Sequence, residues 1–129
     1  MNGGCYCGFI RYETGGEHSN ETNCHCTICR RTSGAPFVAW LTVPGDAFRF
    51  LSGSPATFRS SDHGTRSFCP KCGTPLTFRS DRSPGEVDIT ICSLDEPEEA
   101  RPKDHTWSGS KLSWVELADR LPRFPEERF

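Results

Sequence analysis

The segment Cys24–Gly34, CHCTICRRTSG, puts three thiols within six positions and two arginines directly after them. Two more groups stand elsewhere: Cys5 and Cys7 in CYC, and Cys69 and Cys72 in CPKC. Together they hold seven of the chain's eight cysteines. Thiols one or two residues apart close strained disulfide loops. A metal wants the opposite arrangement, several thiolates delivered by one short turn. The spacing therefore points to metal ligation. A redox role for CPKC is the competing reading, but a thioredoxin-like motif lies between a strand and a helix, and the residues that follow, GTPLTFR, read as strand.

Seven thiols divide into four and three. On a strand, Cys5 and Cys7 would share one face, and CPKC is a tight turn whose sulfurs converge. Joined, Cys5, Cys7, Cys69 and Cys72 would make a closed tetrahedral zinc site that contributes folding free energy. Cys24, Cys26 and Cys29 leave one position open, as in catalytic zinc sites with three protein ligands and an exchangeable fourth. Two residues could instead close that second cage. His25 lies between two ligands but on a strand would point away, and Cys92 is alternatively a small core residue. An open zinc with three sulfurs suits a soft ligand, so the natural visitor is a substrate thiol. Held as thiolate, it could be placed against a small electrophile, with positioning as the main catalytic effect. Arg30 and Arg31 could anchor an anionic thiol through their planar forks. Their other reading is a solvated basic pair. His105 could help position substrate or be a packed strand residue.

These thiols need a scaffold. The 129 residues suffice for one domain, 1–129, with a modest core. Short runs of aromatic and β-branched residues alternate with polar ones in CGFIRYET, PFVAWLTVP, AFRFLSG, ATFRSS, TPLTFRS and EVDITICSL. Turns are expected at Pro44-Gly45, Gly53-Ser54-Pro55, His63-Gly64 and Pro84-Gly85. The fold class is all-β: short antiparallel sheets around a structural zinc. LSWVELADRLPRF adds a short C-terminal helical turn that Pro122 limits. Residues 123–129 are expected to be a loose tail, and LDEPEEARPKD a solvated loop.

The formal net charge of −2 gives no electrostatic case for nucleic acid. No apolar run approaches the roughly 20 residues of a membrane span. The first residues, MNGGCYCGFIRYE, have neither a basic nor an apolar leader region, which favours the cytoplasm. Self-association to a homo-oligomer is left open by the sequence.

The order CYCG, CHCTICRRTSGAPF, FCPKCGTPL and SLDEP, with HTWSGSKLSWVELADRLPRF after it, resembles the glutathione-dependent formaldehyde-activating enzyme family from Cys5 to about Phe124. The resemblance implies two zinc ions in a β fold. By analogy Cys5, Cys7, Cys69 and Cys72 match the structural ligands, and Cys24, Cys26 and Cys29 the catalytic ones. It also implies condensation of glutathione, as co-substrate, with formaldehyde to S-(hydroxymethyl)glutathione, in the carbon–sulfur lyase class. The alternative is a non-catalytic, zinc-stabilised β-domain that docks a partner through aromatics such as Phe37, Trp40, Phe48, Phe50 and Phe58.

Overall fold

The computed structural model describes residues 1–128. Its strands are β1 (Asn2–Gly4), β2 (Arg11–Thr14), β3 (Ser19–Cys24), β4 (Val38–Pro44), β5 (Phe48–Ser52), β6 (Ala56–Arg59), β7 (Gly64–Phe68), β8 (Pro75–Ser80), β9 (Glu86–Thr90) and β10 (Asp104–Thr106). One α-helix, α1 (Thr27–Ser33), joins β3 to β4. A small antiparallel sheet runs β1-β2-β5, and a larger one runs β10-β3-β4-β9-β8-β7-β6. Every pairing is antiparallel except that of β10 with β3. Among the described residues no helix is long and apolar enough to cross a membrane.

The two sheets share one core. Tyr12 and Phe48 from the small sheet, with Ile10 just before β2, meet Leu41, Val43, Leu76, Val87 and Ile89 from the large one. Strand alternation then decides where the other side chains go. Between Leu41 and Val43, and between Val87 and Ile89, the residues Thr42 and Asp88 face the opposite side of the large sheet. Thr42 pairs with Asp88, Asp88 with Phe78, and Phe78 with Arg66. That second face carries the candidate site.

All six runs read as strands from the sequence contain strands. The ones it did not signal are β1, β3, β7 and β10. Their sequences, NGG, SNETNC, GTRSF and DHT, are rich in residues that strands disfavour. Tertiary pairing overrides that preference. The C-terminal helical turn falls at Ser108–Ser110 as a single 3-10 turn, upstream of the segment expected to form it.

The tail is tied down over its described residues, contrary to expectation. Phe124 N–H donates to the His105 carbonyl, and His105 N–H donates to the Pro122 carbonyl. Arg123 bridges in parallel with His105. Arg128 closes the segment with a forked ion pair to Asp104, at 2.5 and 3.0 Å, and a bond to Asn20 Oδ1. Backbone groups and the Arg128 side chain dock it. Phe129 lies outside the described residues.

Of the aromatics considered for docking, Trp40 and Phe48 are buried and Phe37 and Phe50 partly so. Phe58 remains exposed at 39%. The large exposed apolar residues also include Tyr6 and Trp114.

Candidate metal centres

The four sulfurs of Cys5, Cys7, Cys69 and Cys72 come within 4.8 Å of one another. Cys5 and Cys7 sulfurs are 3.6 Å apart, and those of Cys7 and Cys69 are 3.8 Å apart. A tetrahedron with metal–sulfur bonds of about 2.3 Å, the value for zinc thiolates, has an edge of about 3.8 Å. The group fits a tetrahedral ion.

Two matched turns deliver these thiols. Cys5–Phe9 is not strand, as the sequence reading had it, but a turn after β1. Gly8 N–H donates to the Cys5 carbonyl, and Ile10 N–H donates to Cys5 Sγ at 3.2 Å. In the second turn Gly73 N–H donates to the Cys69 carbonyl, and the amides of Lys71 and Cys72 donate to Cys69 Sγ at 3.3 and 3.4 Å. Amides aimed at sulfur stabilise thiolate. Hydrogen bonding from Thr74 pulls the Cys72 thiol down to about 5.

The residue after the second cysteine is glycine in both turns, and both glycines sit at φ +83°. No neighbour crowds either position, so a side chain there meets only backbone strain, about 1–2 kcal/mol. Gly8→Ala and Gly73→Ala should each lower stability by about that amount, measured as a shift in denaturant midpoint. An unchanged midpoint would show that the turn tolerates a side chain.

The second group is Cys24, Cys26 and Cys29. Cys24 ends β3, Cys26 caps α1, and Cys29 lies in its first turn. Cys26 Sγ accepts the Cys29 amide at 3.2 Å, and Cys29 Sγ lies 3.5 Å from Cys24 Sγ. Gly34, at φ +62°, stops the helix. Hydrogen bonds from Cys24 and Cys29 hold the Cys26 thiol far below its usual range, and the same contact pushes Cys24 up. One anion is thus favoured on Cys26 and shared with its neighbours.

These thiols open onto a cleft of about 690 Å³ on the free face of the large sheet. Arg66 stands in it, only 8% exposed. Its Nη2 donates to Cys29 Sγ at 3.5 Å, and its Nε to Ser60 Oγ at 3.0 Å. Its guanidinium carbon lies 5.0 Å from the Phe78 ring centre and 5.7 Å from that of Trp40. A planar cation beside two aromatic rings and hydrogen-bonded to the Cys29 sulfur offsets negative charge shared among the three sulfurs. In GTRSF this arginine carries no pattern that separates it from a surface residue.

Arg30 and Arg31 lie in the last turn of α1, the first half-buried and the second exposed. Neither lines the cleft. Arg66, Arg82 and Arg128 do, and the arginine that bonds to a sulfur of the three-thiol group comes from β7 rather than from the motif itself. Cys92 joins neither sulfur group and is exposed. It is therefore neither the closing ligand nor the core residue that the sequence offered. A 3-10 turn at Ile91–Ser93 swings it outward.

His25 is fully buried and absent from the sulfur cluster. Its Nε2 meets His105 Nδ1 at 3.0 Å, and His105 Nε2 meets the Asp119 carboxylate at 3.0 Å. With Asp119 ionised, His105 donates to it from Nε2 and accepts from His25 Nε2. Burial, helped by His105, pushes the His25 imidazole down to about 4, so it is neutral at pH 7. The chain of three side chains pins the Cys24–Cys26 backbone to β10 and the C-terminal segment. His105→Leu would strand the His25 donor, at about 1–3 kcal/mol. We expect a lower denaturant midpoint together with a metal affinity weakened about tenfold at the three-thiol group alone, followed by cobalt titration. Equal loss at both sulfur groups would contradict this assignment.

A family model described as "Glutathione-dependent formaldehyde-activating enzyme" matches residues 1–110. The chain belongs to that family. A Halomonas elongata protein named "Putative glutathione-dependent formaldehyde-activating enzyme" is 28% identical over 130 residues, which cover 93% of this chain and 82% of the relative. A crystal structure of a Rhodobacter sphaeroides protein superposes with a TM-score of 0.63 at 18% identity, covering 96% of this chain and 99% of that one. That likeness concerns the fold.

Proposed function

We propose that the chain is a zinc-dependent enzyme of the carbon–sulfur lyase type that joins glutathione to formaldehyde. The observation that carries this reading is the unequal grouping of sulfurs, with three of them opening onto a large cleft. Family membership supplies the thiol and the aldehyde.

The proposed step adds the thiol across the carbonyl of formaldehyde. The sulfur–carbon bond forms, the carbonyl π bond breaks, and the thiol proton ends on the new hydroxyl oxygen. A zinc ion held by Cys24, Cys26 and Cys29 would keep the incoming thiol anionic at neutral pH. Arg66 offsets the negative charge of that sulfur cluster through its contact with Cys29. Trp40 and Phe78 border the same cleft and give it an apolar wall beside the sulfurs. The His25–His105–Asp119 chain holds the ligand segment in register. Cys5, Cys7, Cys69 and Cys72 would hold a second zinc with no position to spare, as a structural ion.

The test is formation of S-(hydroxymethyl)glutathione, followed by NMR with labelled formaldehyde, with zinc-loaded protein against a protein-free control. An exchange rate above the control supports the proposal. A rate equal to it, from protein with both sulfur groups loaded, rejects it.

A further inference from the structure

The cleft holds a carboxylate that has no part in the proposed addition step. Asp88 lies on β9, the central strand of the large sheet, where acidic residues are disfavoured. Its Oδ1 accepts from Thr42 Oγ1 at 2.6 Å. Among the described residues no cation forms an ion pair with it. The arginines of the same cleft are engaged elsewhere or lie at its rim. Arg66 is held by Ser60, Cys29 and two aromatic rings. Arg128 is committed to Asp104 and Asn20, and Arg82 is exposed. Burial pushes the Asp88 carboxyl up to about 6. Thr42 and the more distant charge of Arg66 favour the anion only in part, and holding a charge there with no cation in contact costs free energy. A carboxylate kept there, lining the cleft of the three thiols, is placed for a ligand cation.

We propose that Asp88 anchors a primary ammonium group of the thiol substrate, and this rests on the reading of the three-cysteine group as a thiol site. A single carboxylate beside a hydroxyl matches one organic cation better than a divalent metal, which takes six or more oxygens or a set of acidic ligands. The register sets the spacing. Asp88 pairs with Thr42 and Cys24 with Val38, four positions apart on β4, or about 13 Å. β3 and β9 flank β4, which adds about 10 Å across the sheet. Measured from Cys24, the gap left after both side chains reach inward exceeds the nitrogen–sulfur separation of a small amino thiol. It suits a thiol whose ammonium stands many bonds from its sulfur, as in glutathione.

The test uses cobalt-loaded protein, with the thiol-dependent change in the cobalt spectrum as readout. Glutathione should bind wild-type protein about 10- to 100-fold more tightly than N-acetylglutathione, which lacks the ammonium. Asp88→Asn keeps an acceptor for Thr42. It should weaken glutathione by the same factor and leave N-acetylglutathione unchanged. Equal affinity of the two thiols for wild-type protein overturns the ammonium site while leaving the thiol site intact. Equal weakening of both by Asp88→Asn also overturns it, since that is a structural effect. If neither thiol changes the spectrum, the underlying thiol reading fails, and the ammonium site fails with it.

Discussion

Cys69→Ser should leave a chain without a cooperative unfolding transition under conditions where the wild-type protein folds. Cys69 is fully buried, and its sulfur accepts two backbone amides at the centre of its turn. The turn it anchors leads into β8, and its partner turn joins β1 to β2. The four-sulfur group thus staples the small sheet to the large one across 62 residues, Cys7 to Cys69. Structural zinc contributes about 10–16 kcal/mol in small peptides, while whole domains are stable by about 5–15 kcal/mol. Losing one of four ligands removes a share comparable to the total. Circular dichroism during a denaturant titration reads the result. A sharp transition with an unchanged midpoint would contradict a structural role.

Cys26→Ser should do the reverse, abolishing the second metal and the proposed activity while the fold stands. Cys26 is only partly buried and sits outside the main core cluster. A serine there remains a good helix N-cap and can still accept the Cys29 amide. The substitution therefore takes away a soft ligand with little local damage, within about 1 kcal/mol. Metal analysis should fall by one ion per chain, and the midpoint should shift little. A variant that keeps both ions, or that unfolds like Cys69→Ser, would show that the two sulfur groups are not different in kind.

Much of this was legible in the sequence because tight cysteine spacing has few physical meanings. Thiols within a few residues of one another must converge wherever the chain turns, so the four-plus-three grouping survives without knowledge of the fold. The local geometry was less legible. CYC forms a turn rather than a strand face because Gly8 adopts a left-handed backbone. CHCTIC starts a helix because Cys26 acts as its N-cap, a role that sulfur does not announce. Arg66, Asp88 and the His25–His105–Asp119 chain were hidden for one reason. Each gains its meaning from strand register and from contacts over long sequence separations, 80 residues in the case of His25 and His105. Local pattern carries no trace of such pairs. The docked tail was missed likewise, since its polar residues find partners on β10.

In the proposed enzyme one sulfur group is closed and the other has a place for a visiting thiol. X-ray absorption on protein carrying two zinc ions, before and after glutathione, tests it most directly. Sulfur coordination averaged over the two ions should rise by about half a sulfur per ion as the three-thiol site gains its fourth. A value already at four before glutathione, and unchanged after it, would mean that the three-thiol site has no open position.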